Sequence, residues 1–372
     1  MHDRNVLSFI LVQAAFIMSL LACEVNVLAM MNEGEKKDYL VGVHYFAGWW
    51  RARPNKWMTG GEEWLQYYPE REPLLGLYNE QETMDREILT AANHGVDFFQ
   101  ILYFPLHGIS PESGEARLND GLKTFLASPN NHLLRFMIEY VNHPPFDLPT
   151  DELWEKACYE WANTMKHPSY LRLGGRPVFK VHGVDFLIRE SGRDLSKVKA
   201  RVETLRRIVR ESGLPNPIIA GGVSAGSIAS GEAVEPFDYL TTYMEFANLP
   251  PTNVPYPYEQ LIKYAEKAWI AYGTKADKMY MPYVPAGWDP RPWKDPRPPY
   301  TMPTREEWKF ALRRVQAALD KYPNLGIPCG NGGRQKAFVI YAWNEFGEGG
   351  FIAPTKGEGA MKLDVIREVF GR

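Results

Sequence analysis

The chain has 372 residues, enough for one large domain or two ordinary ones, with 42 Lys and Arg against 45 Asp and Glu and a formal net charge of −3. That balance excludes the basic stripe that nucleic-acid binding needs, and no long run of one charge marks a disordered tail. Aromatic residues are abundant, with 11 Trp and 20 Tyr, and they suit both a well-packed core and a cleft whose rings stack on sugar faces.

The first segment, "VLSFILVQAAFIMSLLAC" (6–23), is apolar, short for a membrane span and closed by small residues, so it reads as an export leader rather than as part of the fold. "LLAC" (20–23) resembles a lipobox, in which Cys23 would be acylated and become the new N-terminus. The short n-region "MHDRN", with Arg4 beside Asp3, fits that pattern poorly. The domain expectation is therefore a lipoprotein-type signal peptide over 1–23, a short tether over 24–38 and one domain over 39–372. The expected location is outside the cytoplasm, in a bacterial cell envelope or secreted, with the membrane touched only through the lipid. Cys158 and Cys329 then remain, too few for a disulfide framework or a cysteine metal site.

From residue 39 onward an apolar, β-rich run alternates with an amphipathic stretch. The runs are 39–49, 96–104, 134–142, 176–184, 217–225, 239–246, 278–288 and 336–346, dense in Val, Ile, Phe and Tyr as parallel strands covered on both faces are. Helices are expected between them. "NEQETMDREILTAANHG" ends in a capping Gly95, "DELWEKACYEWANTM" buries Cys158, and "SKVKARVETLRRIVRESG" carries Val198, Val202, Leu205 and Val209 on one face. "PTREEWKFALRRVQAALDKYP" has Thr304 placed to cap a first turn of acids. The fifth run has only a glycine-rich connection, "GGVSAGSIASG", read as a turn rather than a serine-nucleophile loop. Eight such units predict a single-domain (β/α)8 TIM barrel, and no G-x-G-x-x-G follows a strand to favour a nucleotide-binding sheet.

Barrels of this kind place chemistry at the C-terminal ends of their strands. Those ends offer Tyr45, Trp49 and Trp50; Tyr103 and His107; Glu139, Tyr140, Asn142 and His143; and His182 and Asp185. The later strands add Tyr243 and Glu245; Tyr283, Trp288, Asp289 and Arg291; and Trp343, Asn344, Glu345 and Glu348. Acids, amides and rings at one face suit a sugar site, whose hydroxyls need polar partners and whose apolar faces need aromatic platforms. Tyr45, Trp49, Tyr103, Glu139, His182, Tyr243, Trp288, Asp289, Arg291, Trp343 and Asn344 are the expected substrate contacts.

Cleavage of a glycosidic bond needs a proton donor for the departing oxygen and a second carboxylate to manage charge at the anomeric carbon. Glu345 and Glu348, in "YAWNEFGEGG" (341–350), are the expected catalytic pair, with glycines that let the backbone turn sharply. His44 and His182 lack any metal-ligand spacing, so no metal and no cofactor are expected. Lys180, in "VFKVHG", suits either a Schiff base or an ion pair with Glu139 or Glu345, and the ion pair is the simpler reading.

"WNEFGEG" (343–349) resembles the W-N-E-x-x-E-G signature of glycoside hydrolase family 99, the endo-α-mannosidases and endo-α-mannanases, and of the related family 99-like (WbsX-type) proteins. "AGWDPRPW" (286–293) and "GVHYFAGWW" (42–50) are similar to further blocks of that superfamily, in the same order along the chain. The resemblance implies a (β/α)8 barrel, no metal, and hydrolysis with retention. It gives Glu348 the acid/base role and has Glu345 withdraw the proton of the sugar 2-hydroxyl, with Glu139 as a further acid of the pocket. Phe346 and Gly347 stand where family 99 has Trp and His, a departure that leaves α-mannan only as the best guess. The expected function is hydrolysis of an α-linked oligo- or polysaccharide by a monomer. A non-catalytic glycan-binding lipoprotein, a glycosyltransferase of surface-polysaccharide assembly and a Lys180 lyase remain as alternatives.

Overall fold

The structure, a computed structural model, describes residues 37–330 and 332–371. The leader over 1–23, with Cys23, and nearly all of the tether over 24–38 lie outside the described residues.

The strands form one ring of parallel pairs. In chain order they are β1 (Tyr39–Tyr45), β2 (Phe98–Tyr103), β3 (Arg135–Tyr140), β4 (Arg176–Val181), β5 (Ile218–Gly222) and β6 (Tyr239–Thr241). The seventh stave comes in two pieces, β7 (Met279–Met281) and β8 (Tyr283–Pro285), and β9 (Gly333–Tyr341) is the last. Each pairs with the next, β7 with β6 and β8 with β9, while β9 returns to β1 with Tyr39 opposite Lys336 and Val43 opposite Ile340. Pro282 has no amide proton to give a ladder, and it falls at the point where the seventh stave changes partners.

Helices α1 (Gln81–Asn93), α2 (Asp120–Ala127), α3 (Asp151–Thr164), α4 (Val184–Glu190) and α5 (Leu195–Glu211) follow the first four strands. After β6 come α6 (Tyr258–Lys275), α7 (Arg305–Lys321) and α8 (Met361–Phe370). Residues 223–238, after β5, hold no helix. The helices form where apolar residues recur at a spacing of three and four. In α3, Trp154, Ala157, Cys158, Trp161 and Ala162 are the buried face, held against the sheet. In α5 the buried stripe includes Val198, Val202, Leu205 and Val209, and the Asp194 carboxylate caps its first turn at the Ser196 and Lys197 amides. Fully burying each large ring of this layer, such as Trp154 or Trp269, contributes on the order of 2–3 kcal/mol.

Two local features carry the fold to its site. The connection 46–80, after β1, has no α-helix; it folds back over the mouth of the barrel with a short hairpin at Met58–Thr59 and Glu62–Glu63. After β9 the chain makes a tight hairpin, β10 (Asn344–Glu345) with β11 (Gly350–Phe351), before reaching α8.

Thr304 caps α7 in both directions, its hydroxyl accepting from the Glu307 amide and its own amide donating to the Glu307 carboxylate at 2.9 Å. Thr304→Ala is expected to destabilise the fold by about 1 kcal/mol. A lower urea midpoint at unchanged slope checks it.

Candidate active site

The hairpin β10–β11 sets Glu345 and Glu348 on one turn. Gly349 has φ +73°, and a Cβ there would lie 2.6 Å from the Asp289 amide nitrogen; a Cβ on Gly347 would strike the Trp293 indole at 2.1 Å. Only glycine lets the turn close this tightly. Both acids face a cavity of about 350 Å³ at the C-terminal ends of the strands, together with Phe46, Lys56, Glu115, His143, His182, Tyr243 and Trp293. A second recess, of about 560 Å³, continues from it past Lys56, Glu115 and Trp293 to Trp50 and Asn55.

Each carboxyl is held by a tyrosine. Tyr243 donates its hydroxyl to Glu345 Oε1 at 2.8 Å, and Tyr341 donates to Glu348 Oε2. Arg297 approaches the other oxygen of Glu348 at 3.5 Å while stacking over Trp288, its guanidinium 4.4 Å from the ring centre. Burial, and then the charge of Glu348, push the Glu345 carboxyl well above the usual range, with Tyr243 and Lys56 pulling the other way. Burial raises Glu348 as well, offset in part by Tyr341 and Arg297. Two like charges so placed favour retention of one proton between them.

Beneath the cleft, where many barrels have apolar layers, lies a charged cluster. The Glu139 carboxylate is fully buried and meets His44 Nδ1 at 2.9 Å, His182 Nδ1 at 2.7 Å, Lys180 Nζ at 2.7 Å and Gln100 Nε2 at 2.6 Å. Burial alone would raise this acid, but Lys180, His44 and the histidine hydrogen bonds hold it well below its ordinary value. Burial pushes the His44 ring down to about 4. Lys180 is thus an ion-pair partner of Glu139, fully enclosed, and its chemistry is that of a counter-charge. His182 alone among Glu139's partners also lines the cleft, where its ring lies 4.8 Å from that of Tyr243.

Of the residues singled out from sequence, the structure brings Glu345, Glu348, His182 and Tyr243 around the cavity, with Glu139 directly behind His182. Trp49, Asn344, Trp288 and Asp289 hold it from behind, and Arg291 lies away from it. Trp49 is 2% exposed and donates its indole N–H to the Asn344 carbonyl, and the Asn344 amide clasps both backbone atoms of Phe46. Trp288 is the platform under Arg297, and Asp289 and Arg291 pair with each other at 2.7 Å beside a separate pocket.

Tyr45, Tyr103 and Trp343 need correction as substrate contacts, because they face the helices. Side chains alternate across a strand, so with His44 inside the ring Tyr45 must lie outside. Tyr45 and Trp343 both donate to the buried Glu87 of α1, at 2.8 and 2.9 Å, and Tyr103 donates to Glu160 of α3 at 2.7 Å. The glycine-rich stretch after β5 is a turn, as expected. Gly222, Ser224 and Gly226 do spell G-x-S-x-G, but the Ser224 hydroxyl donates to Glu245 at 2.9 Å and no helix follows to form a nucleophile elbow, so the turn reading holds. Sequence reasoning missed Lys56, Glu115 and Trp293, which sit in irregular loops. It also missed Tyr341, whose inward side was legible from the parity of β9.

No family model and no curated protein matches the chain. Solved structures do resemble it. A glycoside hydrolase family 99 endo-α-mannosidase from Bacteroides thetaiotaomicron, in complex with bis-tris-propane, superposes with a TM-score of 0.55 at 17% identity, over 89% of this chain and 95% of that one. A second structure of the family 99 endo-α-mannosidase from that organism gives 0.55 at 16% identity over the same shares. A family 5 hydrolase (GH5_18) from Streptomyces cattleya, in complex with GlcNAc, gives 0.50 at 10%, over 90% of this chain and 80% of that one. The fold is a single (β/α)8 barrel of the kind these hydrolases have. The two family 99 structures share the barrel that the resemblance carried by residues 343–349 implies.

Burial lifts the Glu87 carboxyl to about 7, although Trp343 and Tyr45 both donate to it. An acid raised from 4.5 in the unfolded chain stabilises the fold fully below pH 4.5, and that contribution is lost as pH rises through about 7. Glu87→Gln should therefore flatten the fall in stability between pH 5 and pH 8 by about 3 kcal/mol. Urea midpoints at the two pH values measure this, and a slope equal to the parent's would show that Glu87 ionises freely.

Proposed function

We propose that the protein is a glycoside hydrolase that cleaves an α-linked oligo- or polysaccharide, with a manno-configured chain as the favoured substrate. One observation carries the reading: Glu345 and Glu348 face a single cleft at the C-terminal end of the barrel, each held by a tyrosine hydroxyl. The similarity of fold to family 99 endo-α-mannosidases supports it. The recess running from the cleft to Trp50 suits further sugars of a chain, because indole faces stack on pyranose rings.

The reaction needs one proton given and one taken. One carboxyl donates its proton to the glycosidic oxygen as the bond to the anomeric carbon breaks. The other removes the proton of the 2-hydroxyl, whose oxygen attacks the same carbon from the opposite face and closes a 1,2-anhydro sugar. Water, deprotonated by the first carboxylate, then opens that ring at the anomeric carbon, while the second carboxyl returns its proton to O2. Two inversions leave net retention, and both carboxyls regain their starting state. The 2-hydroxyl of an α-mannoside is axial and stands trans to the leaving group, as this route requires. The family resemblance gives Glu348 the task of donor. Burial raises both carboxyls, offset in part at Glu348 by Tyr341 and Arg297, so the pair retains the proton that the donor must give.

Glu345→Gln and Glu348→Gln are each expected to lower turnover of a mannan by roughly 10²–10⁴-fold with folding intact, read as reducing ends released. An aryl glycoside with a good leaving group separates the roles, because it needs no protonation. Glu348→Gln should keep most of its turnover on that substrate and Glu345→Gln should not; the reverse pattern makes Glu345 the donor. Unimpaired turnover by both variants sinks the two-carboxylate mechanism. Binding without product from the parent on any glycan of a broad panel would mark a glycan-binding protein instead.

A further inference from the structure

The Glu345–Glu348 turn is a tight, buried hairpin beyond the end of the last stave, outside its ladder, yet its two acids must keep a fixed relation. Arg71 bears on this. It lies far away in sequence, in the short 3₁₀ turn Pro69–Arg71 of the long connection after β1, and its side chain is only 4% exposed. Its guanidinium forks. Nη1 donates to the carbonyls of Asp289 at 2.9 Å and of Phe346 at 3.0 Å, and Nη2 donates to the Asp289 carboxylate. Phe346 stands between the two acids in the chain. On the far side of the turn, the Asp289 amide donates to the Glu348 carbonyl at 2.6 Å. The backbone carrying the acids is therefore gripped at two carbonyls, one directly by Arg71 and one through Asp289.

The grip is itself anchored. The segment around Arg71 is laced to the chain just after the hairpin, with hydrogen bonds Leu74 N to Pro354 O, Lys356 N to Glu72 O and Gly357 N to Glu70 O, and an ion pair between Lys356 and Glu72 at 2.6 Å. Arg71 stacks on Tyr68, with 5.0 Å to the ring centre. A lysine could replace the charge but not the fork, since one ammonium cannot donate in a plane to two carbonyls and a carboxylate together. The fork thus joins one carbonyl of the turn to both the carbonyl and the carboxylate of Asp289, a geometry that charge alone would not supply.

We infer that Arg71 is a positioning residue for the catalytic pair, acting through the Phe346 carbonyl and Asp289 to fix the separation of the Glu345 and Glu348 carboxyls. The inference rests on the hydrolase reading above for its kinetic consequence, but not for its structural one. A displacement of about 1 Å at the reacting groups lowers rates by about 10²-fold.

Arg71→Lys and Arg71→Ala should each lower kcat about 10²-fold while KM changes less than about threefold, because the walls of the cleft stay in place. Guanidinium chloride at low, non-denaturing concentration should restore part of kcat to Arg71→Ala and none to Arg71→Lys, whose side chain fills the site; urea at the same concentration should restore nothing. Carboxyl titration needs no substrate. With ¹³C-labelled glutamate, and Glu345→Gln and Glu348→Gln to assign the signals, the parent should show two mutually dependent steps and Arg71→Lys a measurably weaker dependence between them. Unchanged titration in a folded Arg71→Lys overturns the inference, as does an unchanged kcat. If the parent cleaves no glycan while its two carboxyls titrate together and Arg71→Lys weakens that dependence, the hydrolase reading fails and the positioning role stands.

Discussion

Everything at the mouth of this barrel follows from holding two carboxyls together where water reaches them poorly. Unit charges in contact repel by about 4 kcal/mol at the effective dielectric of a protein surface, and by more as burial increases. The molecule relieves the repulsion by keeping a proton, by giving each acid a tyrosine donor, and by setting Arg297 against the more exposed one, whose side chain is 19% accessible. The same strain that would push the turn apart makes its members suited to trading protons, because their affinities for a proton depend on each other.

The interior beneath answers with the opposite charge arithmetic. Glu139 is ionised because Lys180, His44, His182 and Gln100 converge on it, and removing any one would leave a buried charge underpaired. His182 links the two levels. Its Nδ1 is committed to Glu139, so its other nitrogen is left to the cleft, oriented by a group no ligand can reach. A floor of this kind is rigid because each of its members is the partner of another.

The architecture was legible because it is written in periodicities. Val198, Val202, Leu205 and Val209 mark a helix face, eight apolar runs mark eight staves, and the Thr304 cap has a local signature. That the acids of the last stave face a cleft was legible too, since acids and glycines at a strand end have few structural uses. Direction was harder. Residue type points Tyr45, Tyr103 and Trp343 toward the cleft, although parity against His44 sends Tyr45 outward to Glu87. Arg71, Lys56 and Trp293 have no period to betray them. They reach the site through loops whose course depends on contacts between residues more than two hundred positions apart.

Tyr39 stands beside Lys336 in the closing seam of the ring. The first stave therefore waits for the last, across nearly the whole described chain, before it gains its second neighbour. Pairings of such sequence separation form slowly, since much loop entropy is lost before they return anything. The acids stand on the hairpin just beyond that seam, and the lacing of 70–74 to 354–357 spans a similar separation. The pairing of the two acids thus depends on the closed seam, and a chain still open there carries two ordinary, solvated glutamates with no reason to act as a pair.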